Sequence, residues 1–539
     1  MIFDVNLNND QLSNYPYPSQ RRVMLGKRGA VATSQPLASL AGMEMFSQGG
    51  NAIDAAIAMA ITLTVVEPTS NGIGGDGCAL VWDGKLNGFN GSGKSPQALT
   101  KEEFNAQNPK SRLGWSTVTV PGAVDTWRQL WDKWGKLPFE QLFSPAIRYA
   151  EEGFPVSPVT ALAWQQAQSR FLDLDQREFQ PFQSVFFPQH RSPQVGEIWR
   201  SPLHAATLRS IAQTGGESFY RGKLATQIAN FASDTGGYLT EEDLKNHQGE
   251  WVNPISTTYR NLKVWELPPN FQGIATLIAL NILNGFDLKS TPYDSEQRSH
   301  WQIEAMKLAF ADINHHLADP NWMTINSETL LASENIQKHR ELIGEQAITD
   351  IKPSFPDHGT VYLTASDGEL MVSLIQSNYE GFGSGILVPE TGIALHNRGS
   401  CFNAKSGHPN EFAPEKRPFH TIMPGFLTEN EQPLGTFGVM GGQMQPQGHL
   451  QVVCNLADYD MNPQTALDAP RWRYLTDERV VLETGIPSEV MIALSQRGHE
   501  VRVNPSKGMF GKGQIILRNN NGVLIAASEP RADGVALAI

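Results

Sequence analysis

The sequence is short of cysteine: 539 residues contain only Cys78, Cys401 and Cys454. An odd, widely spaced set without a C-x-x-C pair makes neither a disulfide framework nor a zinc site, so no metal is expected. Charge is sparse too, at 18% of residues against a usual ~25%. The 42 Lys and Arg are outnumbered by 55 Asp and Glu, for a net charge of −13. A chain without a cationic surface has no general attraction for nucleic acid or anionic membrane. The longest apolar stretch near the front, "AIDAAIAMAITLTVV", contains Asp54 and is too short to span a bilayer. The start, "MIFDVNLNNDQLSNYPYPSQRR", lacks the apolar segment of a secretory signal, so a cytoplasmic protein is expected. No G-x-S-x-G elbow or H-E-x-x-H pair occurs. Nor is there an internal period of about 20 to 50 residues, which argues against a solenoid.

What the chain does have is a large apolar fraction, 40%, broken up by 48 Gly and 34 Pro. That combination describes packed elements joined by many turns. Residues 1–28, rich in Asn, Gln, Tyr and Pro, form an N-terminal extension. "GAVATSQPLASLAGMEMFSQGGNAIDAAIAMAITLTVVEP" then reads as strand, helix, a stop at Gly49 and Gly50, and a second, nearly all-apolar helix. Three hairpins follow one grammar, two short strands around Asp83-Gly84, Asp367-Gly368 and Asn521-Gly522. Because they lie far apart, they predict sheets assembled from both ends of the chain. The middle is helical: Trp127, Leu130, Trp131 and Trp134 share one face, as do Ile303, Met306, Phe310 and Ile313. "PFQSVFFPQHRSPQVGEIWRSP" between them reads as an irregular excursion. The expected class is α+β, with layers of helices around a central sheet sandwich.

Candidate chemistry is sparse. "NGIGGDGC" (71–78) is Gly-rich, but a helix precedes it and a strand follows, the reverse of a dinucleotide site, so a backbone feature beneath a site fits better. His315, His316, His408 and His420 lack ligand spacing. "PDHGTVYLTASDG" (356–368) ends a polar run at Gly359 and opens a strand at Thr360. A threonine hydroxyl is a weak nucleophile that needs a base. A threonine at a chain's amino terminus has one in its own α-amine, of pKa near ~8. Thr360 gains that base only if the 359–360 bond is cut.

The surrounding stretches sharpen this. Upstream lie "QGGNAIDAAIA", "EPTSNGIGGDG", "VPGAVDTW", "GKLPFEQLFSPAIRYAEEGFPVS", "GGYLTEEDL" and "LPPNFQGIATL". Downstream come "SLIQSNYEGFGSGILVPETGIALHNRG", "EKRPFHTIMPGF", "GVMGGQMQPQGHLQ" and "ALDAPRWRY". In this order and spacing, from Gly29 to the closing "SEPRADGVALA", the chain resembles the γ-glutamyltranspeptidase family of N-terminal-nucleophile hydrolases. Within it, the chain is similar to the glutathione hydrolase-like and cephalosporin acylase-like bacterial members.

The resemblance implies a four-layer αββα sandwich and an inactive precursor that cuts itself between Gly359 and Thr360. The products would be a large subunit, 29–359 behind the extension, and a small one, 360–539, which stay together as one unit. Thr360 would be the nucleophile, Ser377 a hydroxyl that assists it, and Gly441 and Gly442 the oxyanion-hole amides. Asn378 and Tyr379 would line the cleft. The reaction implied is two-step acyl transfer from a small-molecule amide to water or an amine, without a cofactor.

The substrate-reading positions depart from the family. In place of its R-E-x-A-P motif stands "GSGKSP", with Ser92 at the arginine's position and Lys94 two residues on. The acidic residue for the substrate's amine falls on Cys401, a neighbouring amide or acid on Arg398, and a Ser-Ser pair on His420 and Thr421. A pocket that loses an anion and gains a cation predicts poor binding of γ-glutamyl compounds with a free α-amine. An acyl group ending in a bare carboxylate, such as glutaryl, would then be clamped by Arg398 or Lys94. Two other readings stay open: a true glutathione hydrolase with a rearranged pocket, and an uncut, non-catalytic binding or structural homologue.

Overall fold

The computed structural model describes residues 21–107, 112–351, 359–475 and 479–539. Before residue 359 run β1 (Met24–Gly26), β2 (Ala30–Thr33), β3 (Asp76–Trp82), β4 (Leu86–Asn90), β5 (Glu250–Val252), β6 (Ile255–Tyr259) and β7 (Leu262–Glu266). After it come β8 (Val361–Ser366), β9 (Met371–Ser377), β10 (Gly425–Glu429), β11 (Gln432–Met440), β12 (Lys512–Arg518), β13 (Leu524–Ser528) and β14 (Val535–Ala538). They form two seven-stranded antiparallel sheets, ordered β14-β2-β8-β9-β3-β4-β5 and β1-β13-β12-β11-β10-β7-β6. Each sheet takes strands from both sides of residue 359. The three expected hairpins are β3–β4, β8–β9 and β12–β13, turning at Gly84, Gly368 and Gly522, all with positive φ.

Alternation along β8 shows why the sheets stack. Val361, Leu363 and Ala365 pack in an apolar core with α1 (Pro36–Ser47) and α2 (Ala52–Val66), while Tyr362 belongs to a separate core between the sheets. α2 is buried along its whole length, which its many alanines permit by letting backbones approach closely, and Asn51 with Asp54 caps it reciprocally. On β11 the same alternation sends Phe437 and Val439 outward, against α4 (Ile274–Leu283), α5 (Glu296–His316) and α6 (Met444–Ala457). The order is therefore helix, sheet, sheet, helix: the four-layer sandwich of the N-terminal-nucleophile hydrolases. α3 (Ala123–Trp134) joins the first layer through Trp127, whose indole N–H donates to Gln376 Oε1 at 2.8 Å.

Two expectations change. Within the expected N-terminal extension a strand forms, since β1 pairs with β13 at the sheet edge. The excursion at 181–202 carries a short helix, Gln180–Phe186, since Phe182, Phe186 and Phe187 bury against Trp164, Trp199 and Phe382 and hold the chain in place. No helix among the described residues is long and apolar enough to cross a membrane.

Candidate active site

The register between the two sheets positions the site. Thr364 on β8 hydrogen-bonds Thr436 on β11, hydroxyl to hydroxyl. Two residues back, the Tyr362 ring lies where a Cβ on Gly438 would sit, so only glycine fits there. Thr360 immediately precedes β8 and Gly441 immediately follows β11, so the same step, continued, leads to both. One end of the sandwich thus receives both the threonine and the glycine pair.

Thr360 is 2% exposed. Its Oγ1 lies 3.2 Å from Ser377 Oγ, at the end of neighbouring strand β9. Ser377 also donates to the Gly359 carbonyl oxygen at 3.0 Å and accepts the Tyr379 N–H at 2.8 Å. A serine hydroxyl has one proton. With that proton on the Gly359 carbonyl, Thr360 must be the donor to Ser377. The order is Thr360 O–H to Ser377 Oγ, then Ser377 O–H to Gly359 C=O. Tyr379 at φ 71° and Phe382 at φ 62° show that the backbone beyond Ser377 is held in a sparsely populated region. Gly359 is closely packed: a Cβ there would meet Ser70 Cα and Thr69 O at 3.3 Å.

Gly441 and Gly442 have φ of 132° and 59°, conformations that favour glycine. Neither N–H donates to another described residue. The turn they form opens α6, whose amino end adds a positive dipole. Gln272 holds the turn from below, its Nε2 donating to Gly442 O at 2.9 Å and also to Thr421 O.

Beside this lies a buried polar cluster on Asp76, the first residue of β3, which pairs with Ser377 in register. Asp76 Oδ2 accepts from Arg398 Nε and from His420 Nε2, each at 2.9 Å, and His396 Nδ1 is 3.5 Å away. Burial alone would raise the Asp76 carboxyl; His396, His420 and Arg398 outweigh it and hold it well below the usual carboxylate range. Burial lowers His420 to about 3, so it is a neutral imidazole. Arg398 also donates through Nη1 to Thr421 Oγ1 at 2.8 Å and to Cys401 Sγ at 3.9 Å, with its guanidinium 4.5 Å from the Tyr379 ring centre. Among the described residues, Arg398 Nη2, Asp76 Oδ1 and both side-chain polar atoms of Asn378 are buried without a partner.

The structure therefore brings together Thr360, Ser377, Asn378, Tyr379, Arg398, Cys401, His420 and Thr421. Ser92 stands one layer back, bonded to Asn90 at 2.6 Å and to Asn270, whose carbonyl accepts the His420 N–H. Two expectations of the pocket are corrected. Lys94 is exposed and outside the cluster, because the chain turns it away after buried Gly93. Arg398 is not an unpaired cation: Asp76 supplies an anion from another segment, and the charges of the two cancel. Sequence reasoning missed Asp76, His396, Asn270 and Gln272. Only the aspartate inside "NGIGGDG" signalled that this loop carries more than backbone. His315 and His316 lie on α5 with His315 bonded to Ala311 O, and His408 bonds Asn314 O; none joins the cluster. Elsewhere, His300, Glu304 and His499 place ligand-type atoms within 4.8 Å of one another, but Lys307 Nζ lies 2.8 Å from Glu304 and occupies the cation's role.

The gamma-glutamyltranspeptidase family model matches residues 38–539. The chain is 33% identical over 528 residues to the glutathione hydrolase-like YwrD proenzyme of Bacillus subtilis, covering 96% of this chain and 99% of that one. It is 32% identical to the oxamate amidohydrolase proenzyme of Klebsiella pneumoniae, over 94% of this chain and 98% of the relative. Among solved structures, cephalosporin acylase from Bacillus halodurans superposes with a TM-score of 0.93 at 51% identity, over 98% of both chains. The four-layer sandwich and these matches agree, and the protein belongs to the gamma-glutamyltranspeptidase family.

Proposed function

We propose that the protein cuts itself before Thr360 and then hydrolyses a small amide whose acyl part ends in a carboxylate. The observation that carries this is the relay from Thr360 through Ser377 to the Gly359 carbonyl. As Thr360 Oγ1 bonds to the Gly359 carbonyl carbon, its proton passes to Ser377 and the Ser377 proton to the carbonyl oxygen. Collapse of that adduct breaks the C–N bond, the Thr360 nitrogen takes a proton, and an ester remains. Water adds to the ester, releasing Thr360 with a free amine. That amine then serves as base: it takes the Oγ1 proton during attack on a substrate amide and returns it to the leaving nitrogen. Until the cut its nitrogen is an amide without basicity, so the precursor is idle. The Gly441 and Gly442 amides, lacking internal partners, are the donors for the developing oxyanion, each worth ~3–4 kcal/mol of barrier.

Unsatisfied buried polar groups each cost about 1–3 kcal/mol. Arg398 Nη2 and Asn378 Nδ2 are such groups beside the nucleophile, and a carboxylate on the acyl group accepts from both. The names of the relatives, glutathione hydrolase-like, oxamate amidohydrolase and cephalosporin acylase, support amide hydrolysis in general. Asp76 Oδ1 favours a second reading, since an ammonium could bond there and restore γ-glutamyl recognition. Rates on glutaryl-p-nitroanilide and γ-glutamyl-p-nitroanilide decide between the two: a faster glutaryl reaction supports the first, a faster γ-glutamyl reaction the second. A denaturing gel of wild type showing one persistent full-length band would overturn both.

A further inference from the structure

A second buried constellation, not used above, sits behind the Gly441–Gly442 turn. The ladder between β10 and β11 ends at Gly425–Phe437. Beyond it, the Val439 N–H has no strand partner on that side, and His449 on α6 supplies one: the N–H donates to His449 Nε2 at 3.0 Å. With Nε2 accepting, the ring proton is on Nδ1, which donates to Glu266 Oε1 at 2.7 Å. Both side chains are fully buried, and the imidazole packs on Phe437 at 4.7 Å between ring centres. Burial lowers His449 to about 3 and pushes the Glu266 carboxyl well above its usual range.

The pair ties together the two segments that flank the turn. Val439 precedes Gly441 by two residues, and His449 lies on the first turns of the helix that follows it. Glu266 ends β7, whose continuation carries Gln272, the residue bonded to Gly442 O. A Cβ on Gly273 would fall 2.8 Å from Glu266 Oε2, so the carboxyl fills the space that a side chain at 273 would need. The turn is gripped on one side by Gln272 and on the other by His449 backed by Glu266.

We propose that Glu266 and His449 are positioning residues that fix the aim of the Gly441 and Gly442 amides. This rests on those amides being the oxyanion donors. A displacement of about 1 Å at such donors can cost ~100-fold in rate. The role needs an acceptor oxygen of the right reach for His449 Nδ1, so the isostere should suffice and a shortened carboxyl should not.

The test uses the processed enzyme and whichever of the two p-nitroanilides it turns over faster, with competent sites counted by burst titration so that misfolded protein drops out. Per titrated site, His449→Ala and Glu266→Asp are expected to lower kcat by roughly 100-fold with KM within about threefold. Glu266→Gln keeps kcat within about threefold. Gly441→Ala, which strains the turn directly, separates the two claims. If Gly441→Ala leaves kcat intact, the oxyanion reading of the turn fails. If it lowers kcat while Glu266→Asp matches Glu266→Gln, the positioning role is overturned. Should His449→Ala fail to fold, the Glu266 pair still decides.

Discussion

The end of the candidate site around Thr360 and the end around Arg398 are built differently. Around Thr360 the parts are hydroxyls and backbone amides, set by strand register: Ser377 comes from the next strand of one sheet, and the glycines from a strand of the other. Around Arg398 the parts are charges and imidazoles from separate segments, Asp76 on β3, His396 and Arg398 on one loop, His420 and Thr421 on another. Register tolerates little change, because a one-residue slip turns every side chain to the other face. A charge cluster can be rebuilt from whichever segment supplies the counter-ion. The chemistry of such a site is therefore better held than its choice of substrate.

The widest separation between the two ends should come from Thr360→Ala: a single uncut band and no measurable turnover, a loss beyond about 10⁴-fold. Ser377→Ala removes the relay but not the nucleophile, and the appearance of the two subunits on a gel should slow by about 10²-fold. At the other end, Asp76→Asn should leave Arg398 buried without its anion, costing about 3–5 kcal/mol in denaturant melts while the remaining folded protein still cuts. His420 contributes to the pH dependence alongside other buried histidines such as His204, His247 and His449: its proton is lost in the fold at about 3 but near ~6.5 in the unfolded chain. Between those values the unfolded state holds more protons, so stability is full above pH ~6.5 and falls as pH drops toward 3. Asp76, depressed by its partners, adds to the loss only below pH ~4. His420→Gln should flatten the upper part of that slope in thermal melts across pH. Lys94→Ala, an exposed change, should alter KM by less than about twofold, and a larger rise would return Lys94 to the pocket.

Much of the fold was legible. The three hairpins stand where Asp-Gly and Asn-Gly place them, and alternation in "TVYLTAS" sends Thr360, Tyr362 and Thr364 to one face and the aliphatics to the other. The helix pair around Gly49 and Gly50 reads directly. The substrate end was less legible because its logic is not local. Arg398 looked like an unpaired cation since its partner Asp76 stands 322 residues away. Lys94 looked like a second clamp because spacing from Ser92 says nothing of which way a loop turns its side chain. Glu266 and His449, 183 residues apart, gave no signal at all.

Alone, the chain determined its elements, its turns, the parity that faces Thr360 inward and, through ordered motifs, its family. Those follow from interactions between near neighbours and from patterns repeated along the sequence. Only the tertiary structure decided that Asp76 neutralises Arg398, that Ser377 reaches both Thr360 and Gly359, and that His449 caps the strand before Gly441. Each depends on which distant groups share a buried space, where an unpaired charge or amide is costly enough to require a partner.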